Sequence, residues 1–165
     1  MTTYTMLLDS ALKPYSMHKS DKIHIFLADS TKDEHAQFQE MIDQMQLGWL
    51  LTYFENGAEL AAYLESETKP MPHMVFIASQ DSHFSARDTL RKIRSSAHGR
   101  SLPIAIYSSS ASQAIMYEAL LCGANVYLRK PERFEEMSAT FKKAVQTQWL
   151  YYADGQDMDI FLLSV

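Results

Sequence analysis

The chain has 165 residues, 47% of them hydrophobic and 21% charged, which suits one globular domain with a real core and is too short to expect two. Its net charge of −5, with Lys and Arg scattered, argues against a nucleic-acid surface, and no apolar run approaches the roughly 20 residues of a membrane span. A single cysteine, Cys122, excludes an internal disulfide and fits a reducing compartment. The N-terminal stretch has only a short apolar patch, Met6-Leu7-Leu8, and no basic n-region. It does not read as a signal peptide, and the expected location is the cytoplasm.

Lys22 to Ala28 (KIHIFLA) reads as a first strand. Asp29-Ser30-Thr31 follows, and then Phe38, Met41, Ile42 and Met45, spaced i, i+3, i+4, i+7, form one stripe of a helix. Ser30 with Asp33, or Thr31 with Glu34, is placed to form its capping box, and Gly48 to end it. Trp49 to Phe54 is a second strand. Asn56-Gly57 turns the chain into a short helix, Ala58 to Ser66, with Leu60, Tyr63 and Leu64 inward. Met74 to Ala78 (MVFIA) is a buried third strand, and Ser85 with Asp88 is placed to cap a third helix carrying Leu90 and Ile93. The basic groups Arg91-Lys92-Arg94 and Lys142-Lys143 read as solvated helix faces. Pro103 to Tyr107 is the fourth strand, followed by Ser108-Ser109-Ser110 and a helix over about Ala111 to Cys122, for which Gly123 is a left-handed C-cap. Asn125 to Arg129 is the fifth strand. Pro131 opens a last helix with Phe134, Met137, Phe141, Ala144 and Val145 on one face.

Five strands alternating with five helices imply an α/β fold, a doubly wound parallel sheet with helices on both faces. The domain spans residues 22–147, with an N-terminal extension, 1–21, and a C-terminal one, 148–165. The tail WLYYADGQDMDIFLLSV has two apolar clusters around an Asp-Gly turn; it packs on the sheet edge, adds a strand, or mediates contacts.

In such a sheet ligands bind beyond the carboxyl ends of the strands, which here offer Asp29, Ala78, Ser108 and Lys130. The motifs IFLADS, PHMVFIAS, LPIAIYSSSAS and GANVYLRKPERFEEM resemble the receiver domain of two-component response regulators over about residues 22–147. The resemblance implies a flavodoxin-like, three-layer sandwich with strand order 2-1-3-4-5. It also implies a site in which an acidic pair and a third-strand aspartate hold Mg²⁺ and the aspartate is phosphorylated. Residue by residue, Asp29 matches the first acid, while Ser30 replaces the second and Ala78 the phosphoacceptor. Ser108 matches the hydroxyl position, Tyr127 the aromatic switch, and Lys130 with Pro131 the Lys-Pro pair. The receiving half of the site is missing and the sensing half remains.

An alanine cannot accept a phosphoryl group, and one carboxylate is a poor start for a cation that wants several hard oxygen ligands. No cofactor is expected, with Mg²⁺ weak or absent, and Lys130 is expected to pair with Asp29. Each remnant also has a plain reading: Asp29 as a helix N-terminal carboxylate, Ser108 as a cap or turn residue, Tyr127 as a packing aromatic. The six histidines show no ligand spacing, and no base–nucleophile pair suggests an enzyme. The resulting expectation is a phosphorylation-independent signalling module that binds a protein partner, such as a histidine kinase or another two-component protein. The contact face implied by the resemblance comprises the fourth helix, fifth strand and fifth helix, which could also support a homodimer. Two alternatives stand beside it. One is a phosphorelay receiver using Asp81 as substitute acceptor; the other is a small-anion or metabolite site built from Ser108, Lys130, Asn56 and His83.

Overall fold

The alternation of side chains along four short strands divides the core into two layers. The structure, a computed structural model, describes residues 22–29, 31–46, 48–66, 68–79, 86–130, 132–133, 135–139 and 162–163. In chain order these contain β1 (His24–Ala28), α1 (Lys32–Gln44), β2 (Leu50–Phe54), α2 (Gly57–Leu64) and β3 (Met74–Ala78). Then come α3 (Arg87–Ser95), β4 (Ile104–Ser108), α4 (Gln113–Leu121), β5 (Val126–Arg129), a helical stretch α5 (135–139) and β6 (Leu162–Leu163).

The sheet order is β2-β1-β3-β4-β5-β6, and every pairing is parallel. The expected order 2-1-3-4-5 is therefore present. The tail adds a sixth strand, Leu162 and Leu163 lying opposite Tyr127 and Leu128.

Phe26, Val75, Ile77, Ile104, Ile106 and Tyr127 face one side, with Leu60 and Leu64 of α2, Leu90 and Ile93 of α3 and Ala119 of α4. Ile25, Leu27, Met74, Phe76, Tyr107, Val126 and Leu128 face the other, with Phe38, Met41 and Ile42 of α1 and Met137 of α5. Both strand faces are thus apolar, as a parallel sheet between two helical layers requires. Each large side chain buried this fully contributes about 1.5–3 kcal/mol. On the α1 side the aromatics interlock, the Phe38 ring standing edge-on to Tyr107 and to Phe76 with centroids 5.2 and 5.9 Å apart.

Several local expectations change. The N-cap of α1 is Thr31, which makes no side-chain cap bond and whose N–H donates to Asp29 Oδ1 at 2.9 Å, so the Thr31–Glu34 capping box is not formed; the Ser30–Asp33 box lies outside the described residues. The left-handed turn after α1 begins at Gln46 (φ 52°), ahead of Gly48 (φ 66°). Asn56 caps α2, its Oδ1 accepting from Glu59 N–H at 2.9 Å, and Ser112 does the same for α4. The N-cap of α3 is Ala86, without a side-chain bond; Ser85 lies outside the described residues. Gly123 (φ 100°) ends α4 as expected. Arg94 is not part of a solvated face: its guanidinium is half-buried among backbone carbonyls, because the loop after α3 folds back over it. Of the last helix's expected stripe, Met137 is buried, while Pro131, Phe134, Phe141, Ala144 and Val145 lie outside the described residues.

Candidate functional site at the carboxyl ends of the strands

Strand register brings the expected residues to one end of the sheet. Ala28 lies opposite both Phe54 and Ile77, Ala78 opposite Tyr107, and Ser108 opposite Arg129. The ladder continues past the strand ends: Asp29 N–H donates to Phe54 O at 3.1 Å, Ser79 N–H to Tyr107 O at 2.9 Å, and Lys130 N–H to Ser108 O at 2.7 Å. Asp29, Ala78, Ser108 and Lys130 therefore stand side by side.

They do not share a face. The two-residue period of a strand puts Asp29, Ala78 and Lys130 in the rows of Leu27, Phe76 and Leu128, toward α1. Ser108 continues the row of Ile104 and Ile106, toward α4. The site thus has an α1 side with the charged groups and an α4 side with the hydroxyl and the aromatic.

On the α1 side Lys130 does not pair with Asp29 as expected. Its ammonium forms an ion pair with Glu34, in the first turn of α1. Alternation sends Lys130 off the sheet toward α1, the side on which both Asp29 and Glu34 lie, and the ammonium takes the carboxylate in the first turn of α1. The ammonium also sits over the Tyr107 ring, 5.9 Å from its centroid. Burial pushes the Lys130 pKa down, and the Asp29 charge pulls it back up. Burial, with a smaller contribution from Asp29, pushes the Tyr107 hydroxyl well above its ordinary value. It stays protonated and donates to Met137 Sδ at 3.4 Å.

Asp29 is 5% exposed. Its Oδ1 accepts from Thr31 N–H, its backbone carbonyl accepts from the Tyr53 hydroxyl, and its Oδ2 is buried with no hydrogen-bond partner among the described residues. Ala78 contributes a methyl group. Among the described residues no three His, Cys, Asp or Glu side chains gather as a metal site. Ser30, Asp81, His83 and Pro131 lie outside the described residues.

On the α4 side the Ser108 hydroxyl is buried and accepts from Ser110 N–H at 3.1 Å, the turn role of its plain reading. Tyr127 is 1% exposed, a core aromatic of the α2–α4 layer whose hydroxyl donates to Ser110 O at 3.0 Å. Ser108 and Tyr127 thus hold the same residue of the β4–α4 turn. Outside that turn α4 is apolar but faces water: Tyr117 is 54% and Leu121 83% exposed, one helical turn apart.

No protein-family model and no curated sequence matches the chain. Solved structures do. A phosphorylated cyanobacterial phytochrome response regulator, RcpA, aligns with a TM-score of 0.67 at 19% identity, over 79% of this chain and 95% of that one. The response regulator RPA3017 of R. palustris, from red-light signalling, aligns at 0.64 and 18%, over 82% and 96%. The receiver domain of the sensor histidine kinase PA1611 of Pseudomonas aeruginosa, solved with magnesium coordinated in its active-site cleft, aligns at 0.61 and 19%, over 77% and 100%. The fold is that of a response-regulator receiver domain. Within the receiver fold, the feature that sequence reading missed is Glu34. Strand parity sends Lys130 to the α1 side but does not separate Glu34 from Asp29 on that same side, so the pairing had no local signal.

Proposed function

We propose that the chain is a phosphorylation-independent receiver-like module that signals by binding a protein partner in a two-component-type pathway of the cytoplasm. The observation that carries this reading is the methyl group of Ala78 at the carboxyl end of β3, in a chain with the receiver fold. A phosphoryl transfer there has no in-line nucleophile. Two further features support it. The Lys130 ammonium, which would meet a phosphoryl oxygen, is already neutralised by Glu34. The carboxylates described at the strand ends are Asp29 and a Glu34 already paired with Lys130, a poor fit to the six-oxygen shell of Mg²⁺, so Mg²⁺ binds weakly at most.

Binding rather than catalysis is then the output, and the outer face of α4 is its surface. Ala114, Tyr117 and Leu121 lie on that face and are exposed, and contiguous exposed apolar side chains mark interaction sites. The partner is a signalling protein such as a histidine kinase, or a second copy of the chain. The homodimer would use α4 more than the β5 edge, which β6 already pairs. The anion-site alternative loses two of its groups, since Lys130 is ion-paired and Asn56 caps α2. The relay alternative rests on Asp81.

The test is exposure to a small-molecule phosphodonor with Mg²⁺, read by intact mass. No added phosphoryl group is expected. An acid-labile adduct that disappears in Asp81→Asn would establish the relay reading instead. The binding half is read by pull-down from native extract: a partner retained by the wild type is expected to be lost with Leu121→Asp, and retention would reject the α4 face.

A further inference from the structure

We propose that Lys130 is a two-position counter-ion, held by Glu34 in the present arrangement and transferable to the unpartnered Oδ2 of Asp29, so that the strand-end site carries a switch internal to the protein. The inference concerns the same site but does not depend on the signalling reading.

One cation faces two carboxylates. Glu34, in the first turn of α1, holds the ammonium and is itself largely covered, its side chain 18% exposed. Asp29, at the end of β1, is more deeply buried, yet one of its oxygens has no partner. An unpaired buried charge is costly, and the nearest relief is a cation that can reach it. Asp29 and Lys130 project toward the same α1 layer, and the Tyr107 ring between β3 and β5 senses both: the Lys130 ammonium lies over it and the Asp29 charge acts on its hydroxyl. The charge of Asp29 is also felt at Lys130 itself. Among the described residues, the titratable groups that face this ammonium are Glu34, Asp29 and Tyr107.

The exchange is a side-chain movement. Lys130 N–H is fixed to Ser108 O at 2.7 Å, so the strand end need not shift. The four-carbon stem changes rotamer, and the ammonium exchanges one carboxylate for the other. In the present state Lys130 ties β5 to the start of α1. In the alternative it closes the Asp29 pocket and leaves Glu34 an unpaired carboxylate on the first turn of α1, open to a basic side chain of a partner. A partner that takes Glu34 would drive the exchange, because it binds one state and not the other.

The test is a double-mutant cycle with amide isosteres, Glu34→Gln, Asp29→Asn and the double variant, read by urea unfolding. With two alternative carboxylates, Glu34→Gln alone is buffered by transfer to Asp29, and the unfolding constant changes less than about threefold. In the Asp29→Asn background the same change strands a partly buried ammonium, and the unfolding constant rises about tenfold or more. Equal costs in the two backgrounds would overturn the proposal. Side-chain ¹⁵N NMR of the lysine ammonium groups gives a readout on the single variant alone. A Lys130 signal that stays ion-paired in Glu34→Gln supports the transfer; one that moves to the free-lysine position rejects it.

Discussion

Arg94 and Gly123, 29 residues apart, are joined by two hydrogen bonds from Nε and Nη2 of the guanidinium to one carbonyl, at 2.9 and 2.7 Å. The same group donates to Gly99 O at 2.5 Å, Leu102 O at 2.7 Å and Asn125 Oδ1 at 2.8 Å. Asn125 Oδ1 in turn accepts from Ile104 N–H at 2.9 Å, at the start of β4. One side chain thus closes the loop after α3, the turn after α4 and the entry to β4. Burial lowers its pKa to about 10, which leaves it charged at neutral pH.

Replacing Arg94 by Met should therefore destabilise the fold by about 3 kcal/mol, since several carbonyls lose a charged donor at once. Arg94→Lys should recover less than half of that loss, because an ammonium cannot reproduce the planar fork. Urea unfolding midpoints of the two variants check both statements; equal stability of wild type and Arg94→Met would show that water replaces the fork.

The Tyr127 hydroxyl, donating to Ser110 O from a ring that is otherwise core, separates two kinds of substitution. Tyr127→Phe keeps the packing and should cost about 1 kcal/mol. Tyr127→Ala should cost about 3–5 kcal/mol through the cavity it leaves. A binding defect of Tyr127→Ala would then report unfolding as much as lost recognition, and exposed Leu121 is the position for interaction tests. Denaturation of the Phe and Ala variants side by side measures the difference.

Stability should fall on mild acidification through His24. Burial, and then the neighbouring His73, lower the His24 pKa below 6.5. As pH drops through 6.5 the unfolded chain takes up this proton before the folded one. The stability linked to neutral His24 is therefore complete above 6.5 and is lost as pH falls through the folded value. His73 also touches this segment directly, its Nδ1 accepting from the His24 backbone N–H at 3.0 Å. The slope of the unfolding midpoint between pH 8 and 5 should flatten in His24→Gln; an unchanged slope would assign the acid sensitivity to the carboxylates.

Two glycines should respond differently to alanine. A Cβ on Gly99 would sit 2.0 Å from the Ile93 carbonyl oxygen, a backbone atom at the end of α3 that has no room to yield. Around Gly48 nothing lies within 4 Å, and only its positive φ resists substitution. Gly99→Ala should cost about 2–3 kcal/mol and Gly48→Ala about 1 kcal/mol. The order of their melting temperatures checks this, and a reversal would mean that the loop after α3 relaxes freely.

The strands and the two-layer core could be read from apolar runs such as HIFLA and MVFIA, because a buried parallel strand must be apolar on both faces, whereas their order came from the family resemblance. Gly123 was legible for a similarly local reason, a helix end that needs a positive φ. What local reasoning missed was contact between distant segments. Glu34 reads as half of a capping box until Lys130 is placed across the sheet from it, and Arg94 reads as one charge among three until the loop from 96 to 102 returns over it. Asp29 was placed correctly at its strand end, but the isolation of its Oδ2 depends on which carboxylate captured the lysine.

The pairing of Leu162 and Leu163 with β5 also governs what the sheet can do beyond the single molecule. Without it the four residues of β5 would present a ready edge for a strand from another chain, and copies could add to one another without limit. Among the described residues β6 covers two positions of that edge, Tyr127 and Leu128. By pairing Tyr127 and Leu128 within the molecule, the sixth strand takes up half of the β5 edge that a strand of another chain could otherwise use.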